Sequence, residues 1–269
     1  MFRDQTGDLK PLTSLFSLAG KRALITGSAS GIGCAVARRF AESGASLDLV
    51  DLNSEGLEGV RAGLSQYGVD ICTHTVDLSK KEQIDRLWDG LSGSVPDILV
   101  NNAGIYPFKD FTEVDEAFLN KVRAVNLDSV FWMCQHMVKR IAERGGTIIN
   151  VGSIEAILPF KKELAHYCVS KSGVIALTRS LARDYGKNFK INVVVPGGIV
   201  TPGTKNIAKD IAKLKFDLLV TGLEYKARLP AGRFGYPDEV ALMVLVLATD
   251  LSSYVNGAII PVDGGFLSA

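Results

Sequence analysis

The sequence predicts an α/β fold, a Rossmann-type doubly wound parallel sheet of about seven strands with helices on both faces. Three observations predict it. A short apolar strand runs through the turn Gly27-Ser28-Ala29-Ser30-Gly31-Ile32-Gly33 into a helical pattern. Short, near-continuous apolar segments such as Ile98-Leu99-Val100, Ile148-Ile149 and Val193-Val194-Val195 suit strands covered on both faces. Stretches of helical periodicity separate these segments from end to end, the rhythm of repeated βαβ units.

Residues 1–15 hold Arg3, Asp4, Asp8 and Lys10 without an apolar core, so they are not expected to be a signal peptide. They are expected as a loose or partner-clasping extension ahead of a single catalytic domain over 16–269. The first strand is expected near 21–26, and Ala35, Val36, Ala37 and Phe40 mark the helix after the turn. Strand, glycine turn and helix make a dinucleotide cradle. The glycines let the backbone approach a pyrophosphate, and the helix N-terminus offers N–H groups and a positive dipole end.

The second strand, 46–51, ends on Asp51, about twenty residues beyond the turn, where a carboxylate accepts both ribose hydroxyls of the adenosine half. Such a carboxylate repels a 2′-phosphate. No arginine compensates, since Leu52 and Asn53 follow and Ser30 is not basic. The expected cofactor is therefore NAD. Asp48 is the competing acid, but strand alternation and its earlier position favour Asp51 at the tip. Further strands are expected near 70–76, 97–101, 146–151, 190–195 and 258–262. Asn101, Ser153 and Pro196 then follow the carboxyl ends of the fourth, fifth and sixth strands, where open α/β sheets bind ligands.

Tyr167 and Lys171 stand four residues apart, about one helical turn, and project from one face of a helix. A tyrosine with a pKa near ~10 is a poor base at neutral pH. A fixed cation one turn away favours the phenolate and is expected to pull that value down by ~2–3 units. Tyr167 then serves as proton donor and acceptor for a carbonyl/alcohol pair.

Composition bounds the alternatives. A chain of 269 residues with 47% hydrophobic content buries a large core. A formal net charge of +1 gives no electrostatic case for nucleic acid or an anionic membrane. The longest wholly apolar run, Val240 to Ala248, is far shorter than the ~20 residues that span a bilayer. Cys34, Cys72, Cys134 and Cys168 form no Cys-x-x-Cys and read as reduced thiols of a cytoplasmic protein. His74, His136 and His166 show no ligand spacing, so no metal is expected.

The ordered set Thr26-Gly27-x-x-x-Gly31-Ile32-Gly33, Asp77-Leu78, Asn101-Asn102-Ala103-Gly104, Val125-Asn126-Leu127, Ser153, Tyr167-x-x-x-Lys171, Pro196-Gly197 and Asp263-Gly264-Gly265 resembles the short-chain dehydrogenase/reductase family in its single-domain branch. The resemblance covers about residues 16–266. It implies a catalytic tetrad of Asn126, Ser153, Tyr167 and Lys171. In that scheme Ser153 holds the substrate oxygen, Lys171 grips the nicotinamide ribose, and Asn126, in a helix, holds a water that links Lys171 to solvent. The cofactor contacts it implies are Gly27, Ser30, Gly31, Ile32, Gly33, Asp51, Asp77, Leu78, Asn101, Ala103, Gly104, Tyr167, Lys171, Pro196, Gly197 and Ile199, with Thr201 on the nicotinamide amide. It also implies a homotetramer. The apolar residues Phe131, Trp132, Met133, Met137, Val174, Leu177 and Leu181 suggest surplus apolar surface for such an assembly.

Two departures fall on the substrate side. Ser153 and Tyr167 are fourteen residues apart where many members have thirteen, so the loop 155–164 carries an extra residue. Gly152 stands where a second serine is common. Glu155 is the expected substrate contact beside Ser153 and Tyr167, able to accept from a second hydroxyl, and His166 flanks the pair. Residues 198–229 are expected to form a lid. Within it Ile207, Ile211, Leu214 and Leu218 make an apolar stripe that either lines the pocket or packs on the body.

The function expected is an NAD(H)-dependent oxidoreductase that interconverts a small-molecule secondary alcohol and a ketone. Alternatives are a 3-oxoacyl thioester reductase, a sugar or polyol dehydrogenase, and a catalytically idle NAD-binding regulator. The segment Ser153 to Tyr167 resembles the loop of bacterial glucose dehydrogenases in this family, which points toward a polyol or sugar.

Overall fold

A computed structural model describes residues 9–91, 93–201 and 227–269. Most of the expected lid, with its apolar stripe, and residues 1–8 lie outside the described residues.

The strands are β1 (Arg22–Thr26), β2 (Ser46–Asp51), β3 (Ile71–Thr75), β4 (Ile98–Asn101), β5 (Gly146–Val151), β6 (Phe189–Pro196) and β7 (Ile259–Val262). The helices are α1 (Leu12–Leu15), α2 (Gly31–Glu42), α3 (Ser54–Leu64), α4 (Lys81–Gly90), α5 (Glu116–Arg123), α6 (Ser129–Ile141), α7 (Ala165–Tyr185) and α8 (Pro237–Ala248). All strand pairs are parallel, in the order β3-β2-β1-β4-β5-β6-β7, with Leu24 of β1 opposite Asp48 and Leu99. The order reverses between β1 and β4, and that switch point opens the ligand crevice at the carboxyl ends.

Alternation along each strand sorts the core into two layers. Ala23, Ile25, Leu47, Leu49 and Val100 pack with Phe40 of α2, Leu57 of α3 and Val244 of α8. Leu24, Val50, Leu99 and Ile148 pack on the other face with Trp88 of α4, Met133 and Met137 of α6 and Val174 of α7. Met133, Met137 and Val174 are thus core residues, which corrects their expected place on a surplus surface: α6 and α7 spend them on their own sheet. Phe131 remains exposed, as do Phe111, Leu119, Val169 and Tyr185.

Charged groups fasten the amino-terminal rim and middle of the sheet. Asp48 has no exposed surface and takes Nε and Nη2 of Arg22 at 2.6 and 2.7 Å and Nε2 of His74 at 2.9 Å. Burial opposes its ionisation, yet the His74 and Arg22 bonds outweigh it and hold the carboxyl below the usual range. Asp97, just before β4, accepts from the Arg22 N–H at 2.9 Å and Arg144 Nη1 at 2.6 Å. Asp48 therefore ties three strands together, leaving Asp51 as the acid at the crevice.

Candidate active site

The turn between β1 and α2 has no room for side chains. A Cβ on Gly33 would lie 2.2 Å from the Gly27 carbonyl oxygen, and one on Gly27, at φ +66°, 2.8 Å from Ala103 Cα. Asn102 Nδ2 donates to the carbonyls of Thr26 and Gly27, each at 3.0 Å. Thr26 Oγ1 accepts from the N–H groups of Asn102 and Ala103 at 3.0 and 3.1 Å. These bonds stitch β1 to β4 across the switch point. Ser30 provides no side-chain cap to α2, whose first N–H groups lack intrahelical partners by geometry. The arrangement fits a dinucleotide pyrophosphate.

Other positions expected to hold the cofactor lie around this turn. Asp51 sits half-buried at the tip of β2 and accepts from the N–H groups of Ala29 and Asn53, both at 3.0 Å. Asp77 takes the N–H and hydroxyl of Ser79 at 2.9 and 2.6 Å, shaping the bend beside the buried Leu78. Gly197 donates to the Val262 carbonyl at 3.0 Å, and Ile199 bridges to Gly235, which fixes the chain after Pro196. Thr201 then reaches back to the turn, its Cγ2 3.5 Å from where a Gly31 Cβ would stand. Asn101 differs from expectation. Its Nδ2 donates to Asn150 Oδ1 at 2.9 Å and to Cys134 Sγ at 3.3 Å, so its side chain belongs to the core between β4 and β5. The neighbouring Asn102 is the one whose side chain bonds the glycine turn; the sequence held this signal in the paired asparagines of Asn101-Asn102-Ala103-Gly104.

Ser153 follows β5, and Tyr167 is the third residue of α7, after its N-cap Leu164. The Ser153 hydroxyl accepts from the Glu155 N–H at 3.2 Å, and its proximity favours the ionised form of the Tyr167 phenol. Tyr167 is half-buried, and burial of its hydroxyl pushes its pKa up to about 12 against the opposing influence of Ser153. Lys171, one turn on, is buried and donates to the Val151 carbonyl at 2.8 Å; burial drives it down to about 8. The expected lowering of Tyr167 by Lys171 is therefore not found in this structure. Enclosure penalises both charged forms, and it outweighs the one-turn spacing.

Asn126 is fully buried in a π-helical turn, Ala124–Asp128, between α5 and α6. Such single turns recur at functional sites. Its Oδ1 accepts from the Ile105 N–H at 2.8 Å, and Nδ2 donates to the Ile105 carbonyl at 2.9 Å and to Ser170 Oγ at 3.4 Å. The side chain thus clamps the segment after β4, where a water-holding role was expected of it. A Cβ on Gly104 would lie 3.4 Å from Asn126 Oδ1 and 3.5 Å from Lys171 Nζ, so both converge on Gly104.

Glu155 is buried, and burial raises its pKa against bonds from the backbone. Its Oε2 accepts from the N–H of Phe160 at 2.9 Å and of Lys161 at 3.5 Å, so it folds its own loop, and its charge disfavours the Tyr167 phenolate. His166 Nε2 donates to the Pro107 carbonyl at 2.8 Å, which makes it a second clamp on the segment after Gly104. Two residues beyond the expected set stand here. Tyr106 meets Tyr167 edge-on at 4.5 Å between ring centroids, and Lys161 Nζ lies 5.4 Å from the Tyr106 centroid. An aromatic directly behind Gly104-Ile105 and a base in the lengthened loop are the marks the sequence carried. Among the described residues, no group of three His, Cys, Asp or Glu side chains is placed to hold a metal, and no helix is long and apolar enough to cross a membrane.

The family model described as Enoyl-(Acyl carrier protein) reductase matches residues 27–267. The chain is 35% identical over 258 residues to a D-threitol dehydrogenase of Mycolicibacterium smegmatis, covering 93% of this chain and 94% of that protein. It is 36% identical over 255 residues to a 3-oxoacyl-(acyl-carrier-protein) reductase of Thermotoga maritima, covering 93% of this chain and 99% of that one. The crystal structure of L-sorbose reductase from Gluconobacter frateurii, complexed with NADPH and L-sorbose, superposes with a TM-score of 0.87 at 29% identity, over 95% of this chain and 99% of that one.

Proposed function

The chain belongs to the short-chain dehydrogenase/reductase family and is an oxidoreductase acting on secondary CH–OH groups, and from that premise we propose an NAD-dependent dehydrogenase of a polyol or sugar. Asp51 carries the cofactor assignment. Its carboxylate stands beside the glycine turn, held by Ala29 and Asn53, with Leu52 rather than an arginine next to it. A 2′-phosphate there would meet a fixed negative charge. The NADPH complex of L-sorbose reductase belongs to that protein; the acid at this tip argues for NAD here.

Bound NAD supplies the hydride acceptor. The Gly27–Gly33 turn and the α2 N-terminus hold its pyrophosphate, Asp51 its adenosine ribose, Lys171 the nicotinamide ribose, and Thr201 the amide. Ser153 Oγ holds the substrate oxygen. Tyr167 Oη takes the hydroxyl proton as the carbon gives up its hydride, and returns it in reduction. Asn126 and His166 keep the segment after Gly104 against α7. Residues 16–269 form one catalytic unit in this reading.

The D-threitol and L-sorbose enzymes support a polyhydroxy substrate. The Thermotoga reductase supports a 3-oxoacyl thioester as second reading. Four thiols without disulfides among the described residues support a cytoplasmic protein. Exposed Phe111, Leu119, Phe131, Val169 and Tyr185 on and around α5–α7 support a homotetramer. The test is a panel of D-threitol, galactitol, L-sorbose, secondary alcohols and a 3-oxoacyl thioester, each with NAD(H) and NADP(H), followed by NADH absorbance. Turnover of the thioester with NADPH alone would replace the polyol reading.

A further inference from the structure

The turn Asp263-Gly264-Gly265 follows β7, and no step of the oxidation uses it. Both Asp263 carboxylate oxygens are engaged there, Oδ1 by the Gly265 N–H and Oδ2 by the Leu267 N–H, each at 2.9 Å. Gly264 and Gly265 adopt φ +66° and +86°, which side chains rarely take, and the Gly264 carbonyl accepts from the Ala231 N–H at 3.0 Å. The turn drops Phe266 into the core. It has no exposed surface there and joins the layer that holds Ile154, Val174 and Leu229.

The Phe266 ring meets that of Phe160 edge-on, with centroids 5.3 Å apart. Arg228 spans the pair, its guanidinium carbon 5.4 Å from the Phe160 ring centre and 5.1 Å from that of Phe266. Its Nη2 donates to the Ala269 carbonyl oxygen at 3.4 Å, which ties in the chain end. Phe160 belongs to the loop between Ser153 and Tyr167. Ile157, Leu158 and Pro159 stand exposed, so the loop gains nothing from the core there and returns to the body at Phe160. The Phe160 N–H donates to Glu155 Oε2 at 2.9 Å, and the Glu155 N–H donates to Ser153 Oγ at 3.2 Å. A continuous path of contacts thus runs from the last turn of the chain to the hydroxyl assigned to the substrate oxygen.

We propose that Phe266 is a positioning residue of the active site: it seats Phe160, keeps Glu155 bonded to the loop, and so fixes the direction of Ser153 Oγ. A serine hydroxyl held by an amide stays in one staggered well, whereas a released one spreads over three. Turnover then falls with the share that still faces the substrate oxygen. The inference rests on the reading of Ser153 as holder of that oxygen and adds the part of the chain that aims it.

The test uses full-length Phe266→Leu and Phe160→Leu, with Phe40→Leu as the reference for a like substitution in the other core layer. Leucine keeps an apolar side chain and removes the ring edge. Oxidation of D-threitol with NAD is followed by NADH absorbance. Phe266→Leu and Phe160→Leu should each lower kcat by at least about tenfold with KM within about twofold, because the Ser153 bond strengthens as charge develops on the oxygen. NADH affinity in both, and kcat in Phe40→Leu, should stay within about twofold of wild type. Hydrogen exchange across 154–161 should quicken by at least about tenfold in the two loop variants, while β4 and β5 keep wild-type rates.

A rise in KM at unchanged kcat would make Phe160 a wall of the substrate pocket and overturn the proposal, as would turnover equal to that of Phe40→Leu. Should Phe266→Leu not fold, Phe160→Leu, at a half-buried position, decides by the same criteria. If wild type does not oxidise D-threitol, that substrate is lost to the polyol reading and the exchange comparison decides alone. Faster exchange confined to 154–161 supports the path from Phe266. No change there, or equal acceleration throughout the core, overturns it.

Discussion

Asn126 closes on Ile105 with both ends of its amide, Oδ1 taking the N–H at 2.8 Å and Nδ2 giving to the carbonyl at 2.9 Å. Replacing it with alanine strands two backbone groups in a fully buried place, a loss of about 2 kcal/mol or more. Asn126→Ala should melt roughly 4–8 °C lower and lose at least about tenfold in kcat, because Gly104 and Tyr106 no longer hold their places beside Lys171 and Tyr167. Calorimetry and steady-state rates check both. An unchanged melting temperature with a full loss of activity would move Asn126 from clamp to direct participant.

Tyr167→Phe should abolish turnover and leave NADH binding intact, since only the proton-transfer atom is removed. Lys171→Ala should damage both. Fluorescence titration of NADH separates the two variants. Residual activity above a few per cent in Tyr167→Phe would direct attention to His166.

The enclosed phenol sets a pH signature. Burial holds Tyr167 in its protonated form up to about 12. A tyrosine whose folded value lies above its unfolded ~10 binds a proton that the unfolded chain has released between those values. Its contribution to stability is present below pH ~10 and lost as the pH rises toward 12. The ultraviolet difference spectrum of wild type minus Tyr167→Phe, without added nucleotide, should show no tyrosinate at pH 10. Oxidation, which draws on the base form, should accelerate with pH and reduction should slow. A tyrosinate midpoint below 10 in that difference spectrum would contradict the structure.

NAD should bind at least tenfold more tightly than NADP, because a phosphate beside Asp51 should cost ~1.4 kcal/mol or more. Asp51→Ala combined with Leu52→Arg should narrow or reverse the preference. Equal affinity of the natural chain for both nucleotides would remove Asp51 from this role.

Asp48 predicts acid sensitivity. Its folded value is depressed, so the stability it contributes is full above the unfolded ~3.9 and is lost as pH falls through the folded value. Asp48→Asn should cost about 3 kcal/mol at neutral pH, since Arg22 loses its buried partner, and should flatten the acid limb of the stability curve. Denaturant titrations at pH 7 and pH 3 measure both.

The glycine turn, the acid at the β2 tip, the strand positions and the Tyr167–Lys171 face were legible in sequence because each rests on local spacing. Asn102 was visible only as half of a motif, since which asparagine faces the crevice depends on how β4 meets β5. The π-helical turn at Asn126 leaves no periodic mark, as it adds a single residue to an otherwise helical stretch. The direction of the Tyr167 shift was misjudged for a related reason: one-turn spacing announces a neighbouring cation, whereas enclosure is a sum over distant parts of the chain. Tyr106 and Lys161 meet across 55 positions of sequence, and only folding brings them together.

The common direction of the seven strands leaves the chain with two rims under separate demands. Arg22, Asp97 and Arg144 fasten the amino-terminal rim and, among the described residues, bond to none of the expected site residues. Ser153, Lys161 and Tyr106 occupy the opposite rim. Mutations can therefore explore new substrates at one end while the fastenings at the other go untested, and a lineage of such chains can diverge in what it oxidises while its members go on melting alike.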